Sequence, residues 1–192
     1  SEPLGKFSQL KSISSIVNGL FAVMPVIMVG AVFMILYVLG SPSIGTSGHA
    51  LIPFLAPLAD KFLWVNNLTL SFMSLYAVVI ISQNYGSAYH LDERGSELIG
   101  LGTFLVLTLK NYDKAGGISV TAFSASGLFV AIIAAIASVR IYNFFIKHNI
   151  TLRLPDSVPP NIGNSFAAIF PYVTSFTIAW LIRSIMNFDI IS

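Results

Sequence analysis

Between Lys11 and Asp60 the chain runs for 48 residues without a single Asp, Glu, Lys or Arg. The hydrocarbon core of a bilayer is about 30 Å thick and is crossed by roughly 20 uncharged residues of helix. Four further gaps follow: 30 residues between Lys61 and Asp92, 12 between Glu97 and Lys110, 25 between Lys114 and Arg140, and 26 between Asp156 and Arg183. Only 9% of the 192 residues are charged and 55% are hydrophobic, against roughly 25% charged in a soluble domain. Water is therefore the wrong solvent for most of this surface. A net charge of +2 spread over the whole chain gives no basic patch for nucleic acid, and the hydrophobicity excludes intrinsic disorder. With no cysteine there is neither a disulfide framework nor a thiolate site.

The gaps predict an all-α integral membrane protein with about five transmembrane helices, at about 16–39, 68–89, 96–111, 117–139 and 162–182. Pro25 is expected to kink the first and Pro171 the last, since proline removes a ladder donor and crowds the preceding turn. Between the first two spans, Pro42, Pro53 and Pro57 argue against a regular spanning helix, so Ala50 to Leu58 is read as an interfacial or re-entrant segment with Trp64 at headgroup level. The third span is short and needs Glu97 and Lys110 near opposite interfaces, their side chains reaching to water. In the fourth, Gly127, Ala131 and Ala135 recur every four positions, the spacing that lets helix backbones approach closely in lipid. That close packing serves either the chain's own bundle or a subunit interface. Beyond it, Arg140, Asn143, Lys147 and Thr151 share one face, predicting a cytoplasmic amphipathic helix over about 140–152. Pro155, Asp156, Ser157, Val158, Pro159 and Pro160 form a turn that caps the fifth span. Lys6, Lys11, Arg94, Arg140, Lys147 and Arg153 fall on one side of this topology and Lys61, Lys110, Lys114 and Arg183 on the other, which favours a cytoplasmic amino terminus.

Chemistry is sparse. His49, His90 and His148 stand far apart with no zinc-binding spacing, and neither a nucleophile elbow nor a phosphate loop is present. No catalytic residue, metal or cofactor is expected. Glu97 is the one acid near membrane depth and is read as a helix-end residue; Asp92, Glu93 and Arg94 as a solvated turn; Tyr85 and Tyr89 as interfacial anchors.

Several segments resemble a known family. Gly127-Leu128-Phe129-Val130-Ala131-Ile132-Ile133, Ile141-Tyr142, Pro155-Asp156-Ser157-Val158-Pro159-Pro160 and Ser165-Phe166-Ala167-Ala168-Ile169-Phe170-Pro171 occur in order. Nearer the amino terminus stand Gly5-Lys6, Asn18-Gly19, Met24-Pro25-Val26-Ile27-Met28-Val29-Gly30 and Leu91-Asp92. Together they resemble the membrane IIC component of the bacterial phosphotransferase system, of the lactose/cellobiose/diacetylchitobiose type. Val17-Asn18 stands where members of that family often carry a charged pair, so no charged contact is expected there.

The resemblance implies a permease of the bacterial inner membrane that imports a β-linked disaccharide and presents it to a phosphorylated IIB protein. It also implies a homodimer, with the amino-terminal helices mediating the contact and a carboxy-terminal domain holding the sugar. Residues 1–192 align with the amino-terminal part alone. The chain is therefore expected to be a truncated interface domain that lacks the substrate domain and does not transport by itself. The family's sugar-binding histidine and catalytic glutamate find no matching positions, and neither role transfers to His90, His148 or Glu97. The alternative is a complete small membrane scaffold or assembly subunit with no carbohydrate role; lack of intramembrane charge fits it equally.

Overall fold

The computed structural model describes residues 11–42, 50–109, 123–150, 166 and 168–186. Among them the regular structure is entirely helical: α1 (Lys11–Gly40), a 3-10 turn (Pro53–Leu58), α2 (Ala59–Leu70), α3 (Met73–Ser87), α4 (Glu93–Thr108), a second 3-10 turn (Ala125–Gly127), α5 (Leu128–Lys147) and α6 (Ile169–Met186). α1, the run Pro53–Ser87, and Ala125–Lys147 are long and apolar enough to cross a membrane; α6 is a shorter apolar helix.

α1 is antiparallel to the whole run from the first 3-10 turn through α3. Its last glycine, Gly40, faces the Leu55 carbonyl, Gly30 faces Thr69 and Gly19 faces Ile81, and at its start Ser12 Oγ donates to Tyr85 Oη at 3.0 Å. The carboxy-terminal half of α1 and α2 form a two-helix arm, with Phe33 and Phe62 6.0 Å apart between ring centroids. The first half of α1 joins α3, α4, α5 and α6 in a bundle. Its core is Val23, Ala77, Val78, Ile81, Phe104, Phe123, Val130, Ala131, Ala134 and Ala135, continued towards one end by Tyr85, Ile99, Val139, Tyr142 and Ala168.

Helix boundaries depart from the charge-gap reading for local reasons. Residues 59–70 are helical, and the second span is not continuous from 68: the helix breaks at Ser71 and Phe72. Just before the break Thr69 Oγ1 turns back onto the Val65 and Asn66 carbonyls, a self-capping habit of threonine that competes with the ladder. Asp92 is no loop residue. It is the N-cap of α4, its Oδ2 accepting from Gly95 N–H at 2.6 Å, with Glu93 in the first turn where the helix dipole favours an acid.

The amphipathic stretch from 140 is simply the end of α5, and it stops at Lys147 rather than 152. Asn149 adopts a left-handed φ of 52°, Ile150 N–H reaches the Phe145 carbonyl and Asn149 N–H the Ile146 carbonyl. This is the Schellman arrangement that satisfies the last carbonyls and turns the chain away. His90, with φ 57°, ends α3 in the same way: Leu91 N–H bonds to Gly86 O and His90 N–H to Ser87 O. His148 Nδ1–H donates to the Phe144 carbonyl, 2.8 Å away. Two of the three histidines thus serve helix termini.

Pro25 lies inside α1, so the Phe21 carbonyl four residues earlier loses its ladder donor. Pro171 does not sit in mid-helix as a helix from 162 would place it. Ala168 is a turn residue and α6 begins at Ile169, which leaves the proline in the first turn, where its missing N–H costs nothing.

Candidate functional site

Three layers of interaction organise the bundle: a seam of small residues, a polar node at one end, and a large apolar outer face. The seam is best developed where α3 crosses α4. Each helix carries a Ser-x-x-x-Gly pair, Ser82/Gly86 on α3 and Ser96/Gly100 on α4. Because the helices are antiparallel, Gly100 receives the Ser82 hydroxyl and Gly86 receives Ser96; a Cβ at either glycine would fall well inside contact distance of its serine. Both serines are fully buried. Ser96 Oγ donates back to the Asp92 carbonyl at 2.8 Å, whereas Ser82 Oγ has no hydrogen-bond partner among the described residues. The same device recurs at Gly19, where a Cβ would lie 2.5 Å from Ile81, and at Gly95, 2.8 Å from the Tyr142 hydroxyl.

Ala131 and Ala135 are completely buried within this single chain, with Ala134 and Ser138 on the adjoining row. Gly127 is also buried, but as the last residue of the 3-10 turn and N-cap of α5 rather than within a helix. The three residues singled out by their spacing therefore face the chain's own bundle. The segment Pro155–Pro160 lies outside the described residues, as do residues 117–122 and 151–152 of the fourth span and amphipathic stretch and residues 162–165 of the fifth span. The Ser-x-x-x-Gly pairs form no single run of small residues; their signal in the sequence is the same motif occurring in two consecutive helices.

The polar node joins α1, α3 and α5. Tyr85, buried, receives hydrogen bonds from Ser12 Oγ and from Arg140 Nε, each at 3.0 Å. Its oxygen lies 3.4 Å from that of Tyr89. Lys11 Nζ donates to the Ala88 carbonyl at 2.6 Å and stands 4.4 Å from the Tyr89 ring centroid. These tyrosines are thus interhelical partners as well as end-of-span residues. At the same end, Tyr172 Oη donates to the Gly95 carbonyl at 2.9 Å. Towards the other end, Thr103 and Ser175 pair at 2.7 Å and Arg183 Nη1 donates to the Val106 carbonyl at 3.1 Å, tying α6 to α4. Glu97 is half-buried near the start of α4 and has no hydrogen-bond partner among the described residues. Among the described residues no three His, Asp or Glu side chains converge as a metal site would require.

The outer face is made of large residues. On α1, Val17, Phe21, Met24 and Met28 are exposed at the alternating four-and-three spacing of a helix-pairing seam, and Ile35 is exposed one heptad beyond Met28. Trp64 on α2 is 66% exposed. On α5, Phe129, Ile133 and Phe144 are exposed on the side opposite the alanines.

A packed helical unit with a buried small-residue seam and an apolar exterior holds helices together in lipid. Among the described residues no reactive constellation is present. Comparison with known proteins places it. A family described as "Phosphotransferase system, EIIC" matches residues 17–189. The putative permease IIC component YwbA of Bacillus subtilis is 30% identical, over 95% of this chain and 43% of its own length. The cellobiose-specific EIIC component of Geobacillus stearothermophilus is equally similar over the same shares. The crystal structure of the transporter ChbC, the IIC component of an N,N'-diacetylchitobiose-specific phosphotransferase system, matches with a TM-score of 0.83 and 29% identity, over 97% of this chain and 45% of that one. The chain thus spans less than half the length of these relatives. With most of its residues matched by the family and its helices superposing on a IIC transporter, the chain belongs to the EIIC family of phosphotransferase-system membrane permeases.

Proposed function

We propose that these residues form the amino-terminal interface bundle of a permease that imports a β-linked disaccharide of the cellobiose or diacetylchitobiose type, coupled to its phosphorylation by a IIB partner. The observation that carries this reading is the match to the diacetylchitobiose IIC transporter over 97% of this chain but only 45% of that one. The residues that bind sugar then lie outside residues 1–192, and the bundle alone does not transport. Equilibrium binding of labelled cellobiose and diacetylchitobiose to the complete permease and to residues 1–192 tests it. Saturable binding by the complete protein and none by the bundle is expected; equal affinity in both would overturn it.

The bundle also supplies a homodimer contact. Since Ala131 and Ala135 are consumed inside the chain, the contact falls to the Val17, Phe21, Met24 and Met28 face of α1, whose spacing suits a helix pair. Cysteine placed at Met24 should cross-link to a second copy, and cysteine at Phe129 on α5 should not. The protein resides in the inner membrane with its amino terminus cytoplasmic. Supporting this, Lys11, Arg94, Arg140 and Lys147 gather at one end of the bundle, with Lys61 and Arg183 towards the other, the bias that sets cytoplasmic loops.

A further inference from the structure

We propose that the outer face of α5 binds an anionic phospholipid, with the headgroup on Arg140 and an acyl chain along an apolar groove. The groove measures about 510 Å³ and is lined by Ile132, Ile133, Ile136, Ala137, Arg140 and Ile141. Arg140 is exposed and stands at its end; from there the lining runs eight residues back to Ile132, about 12 Å along the helix, through sequence with no charge between Lys114 and Arg140. The groove therefore starts at a cation and leads into hydrocarbon, the shape of a lipid.

The charge is uncompensated. Arg140 spends Nε on the neutral hydroxyl of Tyr85, and among the described residues neither terminal nitrogen has a protein partner and no carboxylate pairs with it. The nearby acids are engaged elsewhere: Asp92 caps Gly95, and Glu93 accepts from Ser87 and Gln83. Lys11 adds a second cation to the same polar node. The bond to Tyr85 fixes the guanidinium plane, leaving the planar fork free for a phosphate. Basic pockets at the ends of membrane helices are the usual seats of anionic headgroups. A free phosphate would use the cation but have no need of the isoleucine groove, and an uncharged lipid would use the groove without the cation.

The test is competitive lipid retention by the complete permease in mild detergent, read by native mass spectrometry with equal dioleoyl phosphatidylglycerol and dioleoyl phosphatidylcholine. The wild type should retain the anionic lipid by about tenfold over the zwitterionic one, and Arg140→Gln should cut that preference about fivefold, the worth of one basic residue near an anionic headgroup. Ala137→Phe, which fills the groove and leaves the charge, should reduce retention of both lipids. Tyr85→Phe keeps cation and groove and should keep a preference. If Arg140→Gln fails to fold, Arg140→Lys, which keeps the charge and loses the fork, should keep only part of the preference, and raised salt should erase it in the wild type. Equal retention of the two lipids by the wild type, a preference that Arg140→Gln or high salt leaves undiminished, or retention unaffected by Ala137→Phe overturns the proposal.

Discussion

The α3–α4 crossing and the outer side of α1 are both helical and both almost free of charge, yet they are built from opposite residue sizes. At the crossing, glycine meets serine and the backbones nearly touch. On the outer side, Phe21, Met24, Met28 and Ile35 stand exposed, Met28 to 68%. In water the large residues would be the core. In lipid, burial of apolar surface drives nothing, because acyl chains are as apolar as leucine, and close contact between small residues takes over. The large side chains then become the outward-facing set of the single chain, turned to hydrocarbon or to a second copy.

The sharpest way to break the comparison is to put a large residue into the seam. Gly100→Leu drives a branched side chain into Ser82, and overpacking of this kind should cost about 3 kcal/mol, read as a loss of thermal stability in detergent. Ala131→Leu, against the same core, should cost about 2 kcal/mol. Loss of the polar node is next: Tyr85→Phe removes the acceptor of Ser12 and Arg140 and should cost about 1 to 1.5 kcal/mol, near the upper range for hydrogen bonds between membrane helices. Asp92→Ala removes the cap of α4 and should cost about 1 kcal/mol, visible as faster amide exchange in its first turn. On the outer face, Met28→Leu should change stability by less than about 0.5 kcal/mol. A large effect there, beside a small one at Gly100, would reverse the assignment of inside and outside.

Much of this was legible in the sequence. The charge-free gaps located apolar helices, and the resemblance carried chiefly by Pro155-Asp156-Ser157-Val158-Pro159-Pro160 and its flanks led to the EIIC family. Those signals are local or compositional, and they survive without knowledge of neighbours. What escaped depended on partners. Ser82 and Gly100 mean little singly, and their role exists only once α3 and α4 are antiparallel. Arg140 looked like one member of an amphipathic stripe because its bond to Tyr85 spans 55 positions in sequence. The stripe also ran past the true end of α5, since periodicity at Arg140, Asn143 and Lys147 does not register that Asn149 turns left-handed. Asp92 was the opposite case: an aspartate before a helix is a cap signal, outweighed by the charged neighbours that made the turn look merely solvated.

Size complementarity across the α3–α4 crossing is the central claim, and a reciprocal exchange measures it directly. Gly100→Ser alone sets serine against serine and should lower stability by about 2 kcal/mol; adding Ser82→Gly moves the gap to the other helix and should recover most of that loss. Thermal unfolding of the wild type, the two single variants and the pair in one detergent gives the coupling energy. Recovery in the double variant is the predicted result. A double variant as unstable as the sum of the singles would contradict it.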